Sequence, residues 1–402
     1  MTGDPLHAPA MFQDGPLPAA LKDRALDVAA EGVTIADARQ PDRPLIYANQ
    51  GFTRITGYSV SEVTGRNCRF LQGPHTDPGA AQDIREAIQA ERECVVEILN
   101  YRKDGSTFWN RLSITPVRDE SGRATHFIGV QSDVTARRLA EDALRKAKEA
   151  LERDLRLAAR VQQALLPPPE VTQGGFRIAR AFHPCTDLAG DGVGIVSLPN
   201  GELALYLLDV SGHGVGPALL SFTLNHLFST TLGGGALVAA ESGAGVRTLE
   251  PAGVAERLNQ QFPMDRTRQY FTMVYGVLDA ASARFRYVTA GHPAPIYLPA
   301  AGPPKPVGGG GVPIGMFGGA HYEGDSLVLE PGDRLYFYTD GVIEALNADE
   351  QDFGEERLLS KIAGLRSRSL REGLEALADA VRVWCGGNLR DDVTLLGLER
   401  GT

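Results

Sequence analysis

Short apolar runs separated by turn residues dominate the first third of the chain. Five of these runs predict β-strands, at residues 33–35, 45–47, 95–99, 108–114 and 126–130. Glycine-containing turns at 103–105 and 120–122 separate the last three, and residues 49–90 have the pattern of short helices. Two strands, short helices and three more strands predict an α+β unit with an antiparallel sheet.

The next segment, residues 136–166, has no glycine or proline and is rich in charge. Its apolar residues recur with a heptad spacing, at Leu144, Ala147, Leu151, Ala158, Val161 and Leu165. Asp154 occupies one position of the same seam. The pattern fits a coiled coil or an amphipathic helix packed on one domain. Because it joins two domains, we favour a coiled-coil homodimer through 136–166, ended by the prolines at 167–169.

A second domain is predicted over residues 167–402. Apolar runs predict strands at 176–181, 203–210, 271–279, 284–290, 296–298, 334–339 and 393–398. Helical patterns lie at 215–232, 251–262, 355–365 and 370–385, and Gly/Ala-rich stretches at 233–245 and 300–312 predict loops. Strands with helices grouped between them predict two sheets with helices outside them, an α-β-β-α sandwich.

Composition narrows the classes further. Residues 1–20 predict a flexible leader and residues 21–30 a short helix, which opens a sensor unit over 21–135. No run approaches the ~20 apolar residues that cross a membrane, and no signal peptide is recognisable. The net charge of −10 disfavours a general nucleic-acid binder. The four cysteines form no C-x-x-C pair, which argues against disulfides or zinc and for a reducing cytoplasm.

The octapeptide Gly-Arg-Asn-Cys-Arg-Phe-Leu-Gln at 65–72 carries the first candidate chemistry. It places the thiol of Cys68 between two hydrogen-bonding side chains, Asn67 and Arg69, with Gln72 close behind. A lone cysteine is usually an inert core thiol, as we expect for Cys94. Polar neighbours of this kind favour a ligand site instead.

The octapeptide resembles the signature of LOV domains, the flavin-binding blue-light subclass of PAS domains. Asn49 and Gly57-Tyr58 match the early helical region of that family. The resemblance implies that Cys68 forms a covalent adduct with FMN in light, and that Gln131 lies beside flavin N5 and rotates when N5 gains a proton. The other residues that match flavin-holding positions are Asn67, Arg69, Gln72, Arg85, Asn100 and Asn110. No extra loop lies between 72 and 85, which favours FMN over FAD.

Aspartates beside small residues form the second constellation, at Asp191, Asp209, Asp340 and the pair Asp391-Asp392. Each of the four places lies close to a predicted strand end or glycine turn, and one Asp-Gly pair alone usually marks a turn. If the sandwich brings these ends together, their oxygens suit Mg²⁺ or Mn²⁺. Two such ions activate water for attack on phosphorus.

As a set, these residues resemble the metal-dependent type 2C (PPM) serine/threonine phosphatases, in the bacterial SpoIIE-like branch. Three further stretches carry the resemblance, at 165–167, 287–293 and 338–345 with 353–354. It implies one metal on Asp191, Asp209 and the Val210 carbonyl, and a second on Asp209, Asp340 and Asp391. Asp392 either supports these ligands or replaces one.

Three residues of this domain leave questions open. Many relatives have Gly-Gly-Asp-x-x-Asp at the first motif, whereas this chain has Gly194 at the last position. His213 and His292 are candidate acid catalysts, although a histidine in a glycine-rich loop more often serves a turn. If Gly194 weakens the metal site, the domain is a signalling scaffold and not an enzyme.

Together the two resemblances imply a blue-light-regulated protein phosphatase, and the SpoIIE-like resemblance implies a phosphorylated STAS-type anti-anti-sigma regulator as its substrate. We expect light to activate it, because a helix seam containing Asp154 and several alanines rearranges easily. A flavin-binding redox or ligand sensor without photochemistry is the alternative for the first domain.

Overall fold

The computed structural model describes residues 19–198, 201–230, 239–242 and 245–401. The chain forms two compact units, Met1–Ala150 and Leu151–Thr402, and the fold is α+β as predicted. Most of the predicted leader lies outside the described residues, but helix α1 (Ala19–Val28) begins two residues earlier and ends two residues sooner than expected. Within the described part of the chain, no helix has the length and apolarity to span a bilayer.

The N-terminal unit is built on a five-stranded antiparallel sheet in the order β2-β1-β5-β4-β3. Its strands are β1 (Gly32–Asp37), β2 (Leu45–Ala48), β3 (Cys94–Tyr101), β4 (Thr107–Arg118) and β5 (Ala124–Asp133). Between β2 and β3 lie α2 (Gln50–Thr56), α3 (Val60–Val63), a 3₁₀ turn (Cys68–Leu71) and α4 (Pro78–Gln89). Each predicted strand of this unit is present and extends further at one or both ends.

Asn49 shows why the first long turn folds as it does. Its Oδ1 accepts hydrogen bonds from the backbone N–H groups of Phe52, at 2.9 Å, and Val33, at 2.7 Å. Its Nδ2 donates to the carbonyl of Leu26 at 2.6 Å, which ties α1 to the unit. The residue is therefore an N-cap that satisfies a helix terminus. Gly57 ends α2 in the left-handed region at φ +76°, which favours glycine.

Helix α5 (Thr135–Leu165) follows β5 after one residue and matches the predicted linker within one residue at each end. Its start is held by strands of the sensor unit. Thr135 Oγ1 accepts from the N–H of Trp109 at 2.8 Å, and Arg138 pairs with Glu97 at 2.8 Å. The large apolar side chains of the heptad seam are exposed, between 54% for Val161 and 71% for Leu144.

The C-terminal unit is a sandwich of two antiparallel sheets. One sheet has the order β16-β13-β12-β9-β8, and the other β15-β14-β17-β18-β7-β6. The strands are β6 (Glu170–Gln173), β7 (Phe176–His183), β8 (Gly192–Ser197), β9 (Leu203–Val210), β12 (Phe271–Asp279), β13 (Arg284–Ala290), β14 (Ile296–Leu298), β15 (Lys305–Pro306), β16 (Gly324–Val328), β17 (Arg334–Tyr338) and β18 (Val393–Arg400).

Helices cover the outer faces of both sheets, which confirms the predicted α-β-β-α layers. The helices are α6 (Val215–Thr230), α7 (Pro251–Gln261), α8 (Met264–Thr267), α9 (Gly354–Gly364) and α10 (Leu370–Trp384). One apolar cluster lies between the two sheets. Each sheet also packs on its own helices through one further apolar cluster.

Two predicted loops contain strands. In the stretch 233–245, residues 239–242 form β10 (Ala239–Ser242), which pairs with β11 (Gly245–Thr248); residues 231–238 and 243–244 lie outside the described part. In the stretch 300–312, β15 pairs with β14. Both stretches were predicted as loops because glycine and alanine are depleted in strands.

Candidate functional site

The sensor unit encloses a cavity of about 170 Å³ between its sheet and the segment around Cys68. All eight residues predicted to hold flavin line this cavity: Asn67, Cys68, Arg69, Gln72, Arg85, Asn100, Asn110 and Gln131. They come from the 3₁₀ turn, α4 and the three strands β3, β4 and β5. The same face of the sheet also lines the cavity with apolar side chains, including Leu112, Ile114 and Phe127. The cavity therefore offers an apolar slot with one polar edge.

That polar edge carries unpaired acceptors. Asn110 donates through Nδ2 to Asn100 Oδ1 at 2.9 Å, and Gln131 donates through Nε2 to Thr34 Oγ1 at 2.9 Å. Asn110 Oδ1 and Gln131 Oε1 are buried and have no hydrogen-bond partner among the described residues. Buried polar atoms normally find a partner, so these two fit a ligand that supplies donors.

Cys68 lies at the wall of the cavity, beside a small core that includes Leu45 and Leu71. Burial raises the pKa of its thiol to about 12, so the sulfur keeps its proton at neutral pH. The resting thiol is therefore not a nucleophile of the thiolate type.

Arg69 and Arg85, the two arginines among the predicted flavin-holding residues, line the cavity and are exposed to solvent. Arg69 pairs with Asp42 at 2.6 Å, and Arg85 contacts Gln82. Arg43 lines the cavity as well, a residue that the sequence did not single out. Thr34 was also missed, although its place in an alternating strand predicts that it faces the same side as Ala36.

The acidic residues of the second unit converge at one end of the sandwich. Asp340 follows β17 and Asp391 precedes β18, and these two strands pair side by side. A Cβ atom at Gly341 would lie 2.1 Å from the Asp392 carbonyl oxygen, so glycine is required for this close approach. Cys185, Asp391 and Asp392 have side-chain atoms within 4.8 Å of one another.

Asp191 reaches this group from the other sheet. Its Oδ2 accepts hydrogen bonds from Thr339 Oγ1 at 3.0 Å and from Thr394 Oγ1 at 2.5 Å. Burial first, and then the charges of Asp209 and Asp392, raise its pKa well above the ordinary value. The carboxylate is thus held in place by two threonines that the sequence analysis did not name.

Asp209, the residue before the last one of β9, completes the cluster. Burial, and then the charges of Asp340 and Asp391, raise its pKa to about 8. Burial, and then Asp391 and Glu344, raise the pKa of Asp340 to about 6. A Cβ atom at Gly190 would lie 3.1 Å from the Val210 carbonyl oxygen, which brings that oxygen close to the Asp191 loop. The candidate ligands are carboxylate oxygens and one backbone carbonyl oxygen, a set that suits Mg²⁺ or Mn²⁺.

Asp392 serves the loops around the cluster. Its Oδ1 and Oδ2 accept from the N–H groups of Cys185 and Gly190, each at 2.8 Å. This arrangement favours the interpretation of Asp392 as a support over that of a metal ligand. Glu344, one helical turn after Asp340, was missed; its i+4 spacing from Asp340 was the available signal.

The altered first motif has a packing cause. Gly194 pairs with Tyr206 across β8 and β9, and a Cβ atom there would lie 2.1–2.3 Å from the Tyr206 ring. An aspartate at this position would therefore enter the helix-covered core. Gly194 does not by itself disable the acidic cluster, whose members lie elsewhere.

The two candidate histidines differ. His292 is buried, shares a 2.7 Å hydrogen bond with Thr272 Oγ1, and burial lowers its pKa to about 3. The lowered pKa favours a neutral His292 at physiological pH. His213 is exposed and close enough to Asp391 for its charge to lower the pKa of that carboxyl, although burial raises it more.

Family models match both the sensor unit and the C-terminal unit. The model described as "Stage II sporulation protein E (SpoIIE)" matches residues 199–401, just over half of the chain, and a PAS domain model matches residues 31–136. The chain belongs to the SpoIIE family and carries a PAS domain of the LOV type at its N-terminus. The SpoIIE match includes Asp209, Asp340 and Asp391 but begins after Asp191.

The N-terminal part is similar to known light receptors. It is 51% identical over 109 residues to a blue-light-activated histidine kinase of Rhizobium johnstonii, covering 27% of this chain and 32% of that one. It is 50% identical over 115 residues to phototropin-2 of Oryza sativa subsp. japonica, covering 29% and 13%. A solved LOV domain from an Erythrobacter litoralis blue-light activated histidine kinase is 49% identical, with a TM-score of 0.25, covering 26% and 95%. The chain thus spans a third or less of these two full-length relatives.

Proposed function

We propose that the chain is a metal-dependent protein serine/threonine phosphatase under blue-light control. The observation that supports the phosphatase half is that Asp191, Asp209, Asp340 and Asp391 lie close together. Burial, and then the charge of at least one other member of this group, raises the pKa of Asp191, Asp209 and Asp340. Two Mn²⁺ or Mg²⁺ ions would be held there by these carboxylates and the Val210 carbonyl. Such ions supply an activated water for attack on phosphorus.

The light-sensing half of the proposal rests on the cavity around Cys68. FMN fits its apolar slot, its unpaired acceptors on Asn110 and Gln131, and its solvent-exposed arginines. Bound flavin would supply absorption of blue light and an electrophilic ring carbon, and Cys68 would supply a thiol with its proton. Because the resting thiol keeps its proton, we expect Cys68 to be unreactive in darkness and to react only when light excites the flavin.

We expect Gln131 to transmit the light-induced change at the flavin from the cavity to the β-sheet. Its amide offers a donor on one side and an acceptor on the other, so rotation exchanges the group presented to the ligand and to Thr34. Thr34 Oγ1 also donates to the Gly129 carbonyl at 3.3 Å, so the exchange alters the contact between β1 and β5. β5 ends at Asp133, and α5 begins at Thr135.

Helix α5 is the proposed route and dimer contact. Its heptad seam is exposed along residues 144–165, which fits burial against a second copy of the same helix. We propose that light rearranges this seam and activates the phosphatase. A phosphorylated STAS-type regulator is the proposed substrate, on the strength of the SpoIIE family match.

Hydrolysis of a phosphoserine peptide with Mn²⁺ tests the enzyme. Asp340→Asn should lower kcat at least a hundredfold, whereas Asp349→Asn, at an exposed loop residue, should leave it unchanged. Wild-type protein that binds Mn²⁺ but hydrolyses nothing in darkness or light would establish the scaffold alternative. A flavin band that blue light does not bleach would establish the non-photochemical sensor.

A further inference from the structure

Helix α5 contacts the segment just before Asp191 through the side chain of Gln162. All 31 residues of the helix are described, and among them only Gln162 is buried. Its Nε2 donates to the Ala189 carbonyl at 2.8 Å, and its Oε1 accepts from the Ala189 N–H at 3.1 Å. The amide thus pairs with both polar groups of one backbone residue, as a neighbouring strand would.

Ala189 directly precedes the loop that carries the first carboxylate. The Gly190 N–H donates to Asp392, and the Asp191 carbonyl accepts from Ser221 Oγ at 2.8 Å. These two contacts hold the loop to the segment just before β18 and to α6. The contact at Ala189 is different, because its partner belongs to the helix that also runs back to the sensor sequence.

We infer that Gln162 is a positioning residue: through Ala189 it sets the placement of Gly190 and Asp191, and thereby the affinity of the first metal position. The inference rests on the proposed function, since it assigns regulation to that same acidic site. A small movement of α5 along or about its axis would break both hydrogen bonds at once. Ala189 is fully buried, so its N–H and carbonyl would find no water in exchange.

Alternative roles predict different measurements. If Gln162 only stabilised the fold, its loss would lower the melting temperature without a specific change in metal binding. If it positions Asp191, its loss should weaken Mn²⁺ binding while kcat at saturating Mn²⁺ is largely retained. The neighbouring Gln163 offers a matched control, because it is the same residue type one step along the helix and is exposed.

The experiment compares full-length wild type, Gln162→Met and Gln163→Met in darkness. Calorimetric titration with Mn²⁺ gives the dissociation constant, and hydrolysis of p-nitrophenyl phosphate gives the Mn²⁺ concentration at half-maximal rate. We expect both to rise about tenfold in Gln162→Met, equivalent to ~1.4 kcal/mol, and to stay at the wild-type value in Gln163→Met. If Gln162→Met does not fold, Gln162→Glu keeps the length and the acceptor and should show a smaller rise.

Each outcome of the Mn²⁺ titrations either supports or overturns the positioning role of Gln162. Unchanged Mn²⁺ binding in a folded Gln162 variant, or an equal rise in Gln163→Met, would overturn the positioning role. Weakened Mn²⁺ binding in Gln162→Met alone, with no hydrolysis by wild type, would uphold that role and reject the proposed phosphatase activity. The calorimetric measurement therefore separates the two proposals.

Discussion

Removing one charge from the acidic cluster should stabilise the metal-free protein, which is the reverse of what most buried substitutions do. Asp209→Asn keeps the shape of the side chain and removes the charge that Asp340 and Asp391 oppose. The same change deletes a proposed metal ligand. The order of stability between variant and wild type should therefore invert when Mn²⁺ is added.

The size of the effect follows from the Asp209 pKa, which is raised from 3.8 to about 8. One pKa unit corresponds to ~1.4 kcal/mol, so ionised Asp209 costs the folded state at most ~6 kcal/mol. The neighbours relax and share this cost, and we expect roughly 1–3 kcal/mol of stabilisation at pH 8. At 1,000 times the dissociation constant, Mn²⁺ should stabilise wild type by ~4.1 kcal/mol and the variant by far less, which is enough to invert the order.

The raised pKa of Asp209 fixes the sign of the pH dependence of folding stability. Because the folded-state pKa is the higher one, the folded protein binds this proton more tightly than the unfolded chain. The stability of metal-free wild type should fall as the pH rises from about 4 to about 8, and Asp209→Asn should fall less steeply.

Urea unfolding in EDTA at several pH values, repeated with Mn²⁺, measures both effects. Asp349→Asn, which removes an exposed charge, is the control and should follow wild type. The reasoning would be refuted if Asp209→Asn were less stable than wild type in EDTA at pH 8, or if the two pH slopes were equal.

Three further predictions concern other parts of the molecule. Gly194→Asp should lose roughly 2–4 kcal/mol of unfolding free energy in urea, because its side chain meets the Tyr206 ring; an unchanged midpoint would contradict this packing. Gln131→Leu should keep the flavin absorbance but lose most of the difference between dark and light phosphatase rates. If the variant showed a dark–light difference as large as that of wild type, Gln131 would not be the residue that transmits the light signal. Leu151→Glu, in the exposed seam, should convert a dimer to a monomer in sedimentation velocity, whereas a persisting dimer would place the contact elsewhere.

Strand prediction succeeded where burial on both faces produces a continuous apolar run. β9, β12, β13 and β14 have the predicted bounds, since each lies inside the sandwich with helices or a second sheet on either side. β8 was missed because Gly192 and Gly194 indicate a loop. Tertiary contacts require those glycines: a Cβ atom at Gly192 would lie 2.9 Å from Leu208 and 3.0 Å from Asn225.

In the candidate sites, too, some residues were predictable from local sequence and others were not. Short motifs locate Cys68 and the aspartates, because each chemical group lies beside recognisable neighbours. The residues that hold those groups were not predictable, since Asp191 is bonded to Thr339, 148 positions away, and to Thr394, 203 positions away. Gln162 belongs with them, because no local pattern in an amphipathic helix separates a buried glutamine from the exposed Gln163.

The central claim is that Cys68 controls chemistry at the distant aspartates. Its most direct test is the rate of phosphopeptide hydrolysis with Mn²⁺, in darkness and under blue light, for wild type and Cys68→Ala. We predict a higher rate in light for wild type, and a single rate in both conditions for Cys68→Ala that remains well above zero. Equal dark and light rates in flavin-loaded wild type, or a light response that survives Cys68→Ala, would contradict the account.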